Sequence, residues 1–146
     1  QRAMASINIP VSPIAINTFR DMQKQSMRFI VFKMCDKKID IAATGGSDAT
    51  FDDFASHLPV DECRYGVIKM TYNAPIKVQG VNEGIRSKTV FVLWTPDGSN
   101  VRERFTYTSA QKCVKRCFNE SMIGMQANDK SFTEDDLLKK CLAFTS

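Results

Sequence analysis

Apolar residues along this chain recur with two different periods, and the switches between them divide it into helices and strands. Ser12-Pro13 is a helix-start signal, a capping hydroxyl followed by proline at the first helical position. Ala15, Phe19 and Met22 then recur at helical spacing. Arg28 to Met34 is dense in β-branched and aromatic residues and reads as a buried strand. Asp36-Lys37-Lys38 makes a turn, and Ile39 and Ile41 alternate with polar neighbours as a half-buried second strand that ends at Gly45-Gly46-Ser47. Thr50 caps a short helix carrying Phe51 and Phe54, which stops before Pro59.

Arg64 to Tyr72 reads as a third strand, and a polar loop with Pro75, Gly80 and Gly84 follows. Lys88 to Trp94 carries the strongest strand signal, because Val90 to Trp94 is continuously apolar. Such a run is covered on both faces and lies inside its sheet. Pro96-Asp97-Gly98 is a turn. Ser109 is the expected cap of a late helix that separates cleanly from Lys112 onward. Cys113, Val114, Cys117 and Phe118 fall on one side of it, and Lys112, Lys115, Arg116 and Asn119 on the other. Thr133 begins a last helix with Glu134, Asp135 and Asp136 in its first turn, where acids are favoured. Leu137, Leu138, Cys141 and Phe144 form its expected apolar face, with Lys139 and Lys140 projecting outward. Strands and helices mixed in this way predict an α/β (α+β) domain.

Composition narrows the function. The 146 residues suit one domain, expected over 4–146, with Gln1-Arg2-Ala3 ahead of Met4 reading as a tag remnant. At that length about 70% of the unfolded surface can be buried, so the core needs no staples. A hydrophobic fraction of 43% and a charged fraction of 25% are ordinary for a globular domain. The net charge of +4 favours an acidic partner surface or anionic lipid, but lacks the dense basic stripe that nucleic acid requires. No run approaches the roughly 18 apolar residues of a membrane span, and the apolar stretch from Ile7 to Ile16 is broken by Pro10 and Pro13.

The five cysteines, Cys35, Cys63, Cys113, Cys117 and Cys141, are odd in number and irregularly spaced, which argues against a disulfide framework. With no C-x-x-C and only His57 as histidine, no zinc site or other metal site is expected. They read as reduced, mostly buried thiols of a cytosolic protein, including Cys113 and Cys117, which stand one turn apart. His57 reads as a surface histidine and Trp94 as core. There is no Gly-rich phosphate loop, nucleophile elbow or triad context, so no catalytic residue and no cofactor are assigned.

Several segments resemble one family. Cys63-Arg64-Tyr65 opens the third strand, Phe91-Val92-Leu93-Trp94-Thr95-Pro96-Asp97 forms a strand and turn, and Tyr107-Thr108-Ser109 precedes a basic helix. Gln126-Ala127-Asn128-Asp129 and the start Met4-Ala5-Ser6 complete the set. Their order and spacing, from Met4 to about Leu142, resemble the actin-depolymerising factor/cofilin family. The resemblance implies a central mixed sheet of about five strands flanked by helices on both faces. It implies binding to actin monomers and filaments, preference for the ADP form, severing and depolymerisation, and competition from phosphoinositides. It further implies a monomeric protein of the cytoplasmic actin cytoskeleton, with the nucleus as a second compartment and no stable membrane insertion.

Carried over residue by residue, the monomer-binding set is Ser6, Arg102, Arg104, Lys112, Lys115 and Arg116. The filament-binding set is Arg86, Lys88, Lys139 and Lys140. Ser6 matches the family's regulatory phosphorylation site, where a phosphate would oppose an acidic partner. A solvated basic face is the plain alternative for the helix cations. Lys112, Lys115 and Arg116 nevertheless repel one another at i, i+3 and i+4, and Lys112 is expected near a helix N-terminus, where a cation is disfavoured. Helix stability alone would not select that pattern. Gln111-Lys112, Ser99-Asn100 and Lys69 depart from the family's usual Lys-Asp, Ala-Pro and acidic residue, and Lys139-Lys140 from its acid–arginine pair. Alternatives are a coactosin-like or glia-maturation-factor-like regulator without severing, and a phosphoinositide-binding module without an actin role.

Overall fold

A computed structural model describes residues 8–24, 26–73 and 84–144. In chain order the elements are α1 (Pro13–Lys24), β1 (Met27–Cys35), β2 (Lys38–Gly46), α2 (Phe51–Ser56), β3 (Arg64–Asn73), β4 (Ile85–Trp94), α3 (Val101–Asn119), β5 (Ile123–Ala127) and α4 (Glu134–Ala143). The strands form one five-stranded sheet in the order β2-β1-β3-β4-β5. Neighbours pair antiparallel except β4 and β5, which are parallel, so the sheet is mixed as expected.

Local chemistry accounts for most boundaries. Ser12 accepts from the Ala15 N–H at 3.0 Å and donates to Asp40 Oδ1 at 2.9 Å, capping α1 and tying it to β2. Thr50 with Asp53, and Thr133 with Asp136, form reciprocal capping boxes at α2 and α4. Asp36 and Lys37, at φ of 51° and 67°, make the two-residue connection of the β1–β2 hairpin, where both central residues take the left-handed region. The β3–β4 register runs from Arg64 opposite Trp94 to Asn73 opposite Ile85.

Alternation along the strands sends side chains to two separate cores. Ile30, Phe32, Tyr65, Val67, Phe91 and Leu93 face α1 and α3, which contribute Phe19, Met22, Tyr107 and Val114. Phe29, Val31, Ile68, Val90, Val92 and Trp94 face α2 and α4, which contribute Phe54, Leu137 and Cys141. Trp94 is core as expected, its indole N–H donating to Pro59 O at 2.6 Å. Arg28 links several elements at once. Its guanidinium donates to Lys69 O at 2.9 Å and Ala49 O at 3.1 Å, and meets Glu134 of α4 at 3.3 Å.

Three expectations are corrected. Ser109 is not a helix cap: α3 already begins at Val101, capped by Asn100, and Ser109 lies in mid-helix. Lys112 therefore stands in the second half of α3, where the helix dipole does not disfavour a cation. Phe144 does not join the apolar face of α4. It is the C-cap residue and 62% exposed, because the helix ends before it can turn inward. The thiols are not mostly buried: Cys63 and Cys141 are, Cys113 is intermediate, and Cys35 and Cys117 are exposed.

Tyr65 and Tyr107 give this fold a measurable alkaline signature. Tyr65 donates to Tyr107 O at 2.6 Å, and Tyr107 Oη accepts from the Met34 N–H at 2.8 Å. Burial pushes the Tyr107 hydroxyl up to about 12, and burial and then Tyr107 push Tyr65 strongly upward. Both ionise near about 10 in the unfolded chain. Their contribution is complete below that value and is lost as pH rises through the folded values. Urea denaturation should show stability falling from about pH 10 upward. Tyr107→Phe should shallow that fall while costing roughly 1–3 kcal/mol at neutral pH, since the Met34 N–H loses its acceptor. Identical alkaline limbs for the two proteins would contradict the assignment.

Candidate functional site

The ten residues singled out from the sequence fall into two groups, apart from Ser6, which lies outside the described residues. The first group sits on α3. Asn100 Oδ1 accepts from the N–H groups of Arg102 at 2.8 Å and Glu103 at 3.2 Å. Ser99 is buried and donates to Pro96 O at 2.6 Å. The departure at Ser99-Asn100 thus supplies a turn and a helix cap. From that cap, Val101, Phe105, Thr108 and Lys112 recur at helical spacing on the outward side, with Arg116 flanking them. Val101 is 71% exposed and Phe105 51%, so this stripe is apolar at one end and basic at the other.

Val101 and Phe105 were missed from the sequence. They become visible only when the helix is started at Asn100, which places them in one row with Lys112. Beside Phe105 runs a shallow groove lined by Thr95, Asp97, Arg104, Thr108, Gln126 and Asn128. Gln126 of the Gln-Ala-Asn-Asp segment donates to Thr95 Oγ1 at 2.9 Å, which holds one wall of the groove.

The cations of this group differ in how far they are committed within the fold. Arg104 is bound inward, donating to Asp97 O at 3.1 Å and to Ser99 O, so it shapes the turn before α3. Lys115 donates to Glu120 O at 2.9 Å at the helix C-terminus. Arg116 lies 3.9 Å from Glu120 with both side chains in solvent, a pair worth little. Arg102 and Lys112 are exposed, and neither side chain makes a hydrogen bond or ion pair among the described residues.

The second group is on the other side of the sheet. Arg86 and Lys88 lie within β4, opposite Tyr72 and Met70; the strand begins at Ile85, three residues before the Lys88 start expected from the sequence. They share the face of Val90 and Val92, which α4 covers. Tyr72 donates to Cys141 O at 3.4 Å, and the Lys88 ammonium is close enough to Cys141 to act on its thiol. Lys88 thus lies against α4, whose Lys140 stands one turn before the exposed Phe144. Arg86 is exposed and donates to its own Ile85 carbonyl at 3.1 Å. Lys139 stands apart, paired with Asp135 at 3.2 Å along the outer side of α4.

Among the described residues no cluster of three or more His, Cys, Asp or Glu could hold a metal, and no helix is long and apolar enough to cross a membrane. The arrangement offers two exposed patches on opposite faces of a sheet, which suits it to binding protein surfaces.

Comparison with known proteins agrees. Residues 8–142 match the family model described as cofilin/tropomyosin-type actin-binding protein. An actin-depolymerizing factor of Brassica napus is 32% identical over 121 residues, covering 83% of this chain and 91% of that protein. Cofilin of Schizosaccharomyces pombe is 32% identical over 130 residues, covering 88% and 90%. The chain belongs to the actin-depolymerising factor/cofilin family of actin-binding proteins. Solved structures share its fold. Streptomyces griseoflavus cofilin has a TM-score of 0.78 at 23% identity, covering 91% of this chain and 96% of that one. Human coactosin-like protein has a TM-score of 0.73 at 16% identity, covering 100% and 95%.

The inward and outward arginines of α3 separate in a simple experiment. Arg104→Ala removes the donor that organises the Asp97–Ser99 turn and should lower stability by about 1–2 kcal/mol. Arg102→Ala should stay within about 0.5 kcal/mol of the parent. Thermal unfolding of the two variants checks this, and equal losses would refute the distinction.

Proposed function

We propose that the protein binds both actin monomers and actin filaments, and that it severs and depolymerises the filaments. The observation that carries this reading is the placement of two cationic patches on opposite faces of one sheet, each beside exposed apolar surface. A protein built this way can touch two subunits of a polymer at once. The outward stripe of α3, with Arg102, Lys112 and Arg116 around Val101 and Phe105, supplies the contact to a monomer. Arg104 and Lys115 shape that patch from within. Arg86, Lys88 and Lys140 supply the second contact, made only in a filament, with Lys139 at its margin. Binding both subunits strongly only in a deformed filament would spend binding energy on twist and fracture, so the role is mechanical and needs no catalytic group.

The same cations give anionic lipid a way to compete with actin, and phosphoinositide headgroups are the ligands that fit. The ADP form of actin is the preferred partner, and the protein acts as a monomer in the cytoplasm, with the nucleus as a second site of action. A second reading is filament binding without severing. It draws support from the fold shared with the human coactosin-like protein and from Lys139 standing apart from the other three cations of its group.

The deciding experiment watches labelled filaments by microscopy with co-sedimentation in parallel. Fragmentation supports severing, binding without fragmentation supports the second reading, and no binding to either form refutes both. The charge-reversed pair Arg102→Glu and Lys112→Glu should lose at least about 1.4 kcal/mol of monomer affinity, a factor of ten. Arg86→Glu with Lys88→Glu should leave monomer affinity intact and reduce filament co-sedimentation. Parallel loss in both assays by both pairs would overturn the two-patch assignment.

Ser6 is the proposed phosphorylation site. A phosphate adds about −1.5 to −2 charges near neutral pH, opposing an acidic partner. Ser6→Asp should weaken monomer binding with no change in thermal midpoint, and unchanged affinity would remove this mode of control.

A further inference from the structure

Cys113 and Cys117 are not where core thiols belong. The inward side of α3 is carried by Tyr107, Ala110, Val114 and Phe118, the last lying 5.1 Å from Phe19 and 4.7 Å from Phe32 between ring centroids. Cys63 and Cys141 show what a packed thiol looks like here, each at 0% exposure. Cys113 by contrast is partly open and Cys117 is exposed. One helical turn separates them, so they neighbour one another on the surface of α3. Their side chains are in contact range, Cys113 acting directly on the Cys117 thiol.

We propose that Cys113 and Cys117 form a chelating dithiol site for a thiophilic centre that takes two sulfur ligands, of the class of trivalent arsenic. Geometry separates this from the other chemistry a thiol pair could do. Side chains at i and i+4 hold their Cβ atoms about 5–6 Å apart, whereas a disulfide needs about 3.5–4.5 Å. An intact α3 therefore does not close a disulfide between them. Two bonds of about 2.3 Å to a shared pyramidal centre, at roughly 100° to one another, hold the sulfurs about 3.5 Å apart, a separation that thiols one helical turn apart can reach by rotating toward each other. Tetrahedral zinc is disfavoured, since among the described residues no group of three or more metal-ligating side chains assembles. Soft sulfur donors select soft acceptors.

A thiophilic centre displaces the two thiol protons as it binds. With phenylarsine oxide as the probe, two S–H bonds break and two As–S bonds form. The arsenic-bound oxygen leaves as water with both protons, and arsenic stays trivalent, so no oxidant or reductant is consumed. The site does not depend on the actin-binding reading, because its ligands lie on the flank of α3 and its readout is chemical.

The reduced full-length protein is treated with one equivalent of phenylarsine oxide, then alkylated with N-ethylmaleimide and weighed intact. A single bridged adduct is expected, with Cys113 and Cys117 protected and Cys35 still alkylated. Peptide mapping of the unmutated protein should place both sulfurs on one α3 peptide. Cys113→Ser and Cys117→Ser should each weaken the adduct at least about 100-fold, because the second As–S bond is intramolecular. Cys35→Ser should leave it unchanged. An adduct mapping elsewhere, one that persists in either single variant, or none in the parent, overturns the proposal. Mapping on the parent decides the matter even if a variant folds poorly.

Discussion

Everything in this molecule follows from sealing β3 and β4 on both sides. Tyr65, Val67, Phe91 and Leu93 point one way, and Ile68, Val90, Val92 and Trp94 the other. An antiparallel pair with only one apolar face could leave the other in water, but this one cannot. It requires α1 and α3 over one face and α2 and α4 over the other. Once these helices are seated, their outward sides and the open end of β4 are the surfaces left for partners. The separation of the two cationic patches is thus a by-product of how the core is covered.

The same requirement explains what could be read from the chain and what could not. β1, β3 and β4 were legible because their apolar runs are long, β2 because Ile39 and Ile41 alternate with polar neighbours, and α1, α2 and α4 because Ser12, Thr50 and Thr133 announce their caps. The short β5 carries no such run and was not read from its pattern. Nor was the start of α3. Asn100 follows Pro96-Asp97-Gly98-Ser99, which reads as turn. The first turns of the helix place only Tyr107 and Ala110 in the core. Thr106, Tyr107 and Thr108 also have modest helix propensity. Tertiary packing through the Tyr107 hydroxyl, bonded to β1, overrides that local weakness. Val101 and Phe105 were lost with the missing turns. The candidate cations were legible as residues but not as roles, since inward bonding of Arg104 and Lys115 depends on carbonyls that the sequence does not locate.

The departures from the family pattern acquire physical meaning in this setting. Ser99-Asn100, where the resemblance led to the expectation of Ala-Pro, supplies a buried hydroxyl and a side-chain cap. Lys69 donates to Met22 O at 2.9 Å, so its ammonium helps secure the end of α1. Gly45 has a similar fixed role: a Cβ there would run into the Phe29 ring, which allows β2 to lie close over the aromatic core.

Arg28 binds the molecule together in time as well as in space. One guanidinium holds β3 through Lys69 O, the segment before α2 through Ala49 O, and the first turn of α4 through Glu134. If α4 peeled away alone, a half-buried cation would be left with part of its hydrogen bonding unmet, a cost that favours wider opening instead. Arg28 thus ties the first turn of the C-terminal helix to the middle strand, linking the two ends of a sequence separation of 106 residues through one side chain.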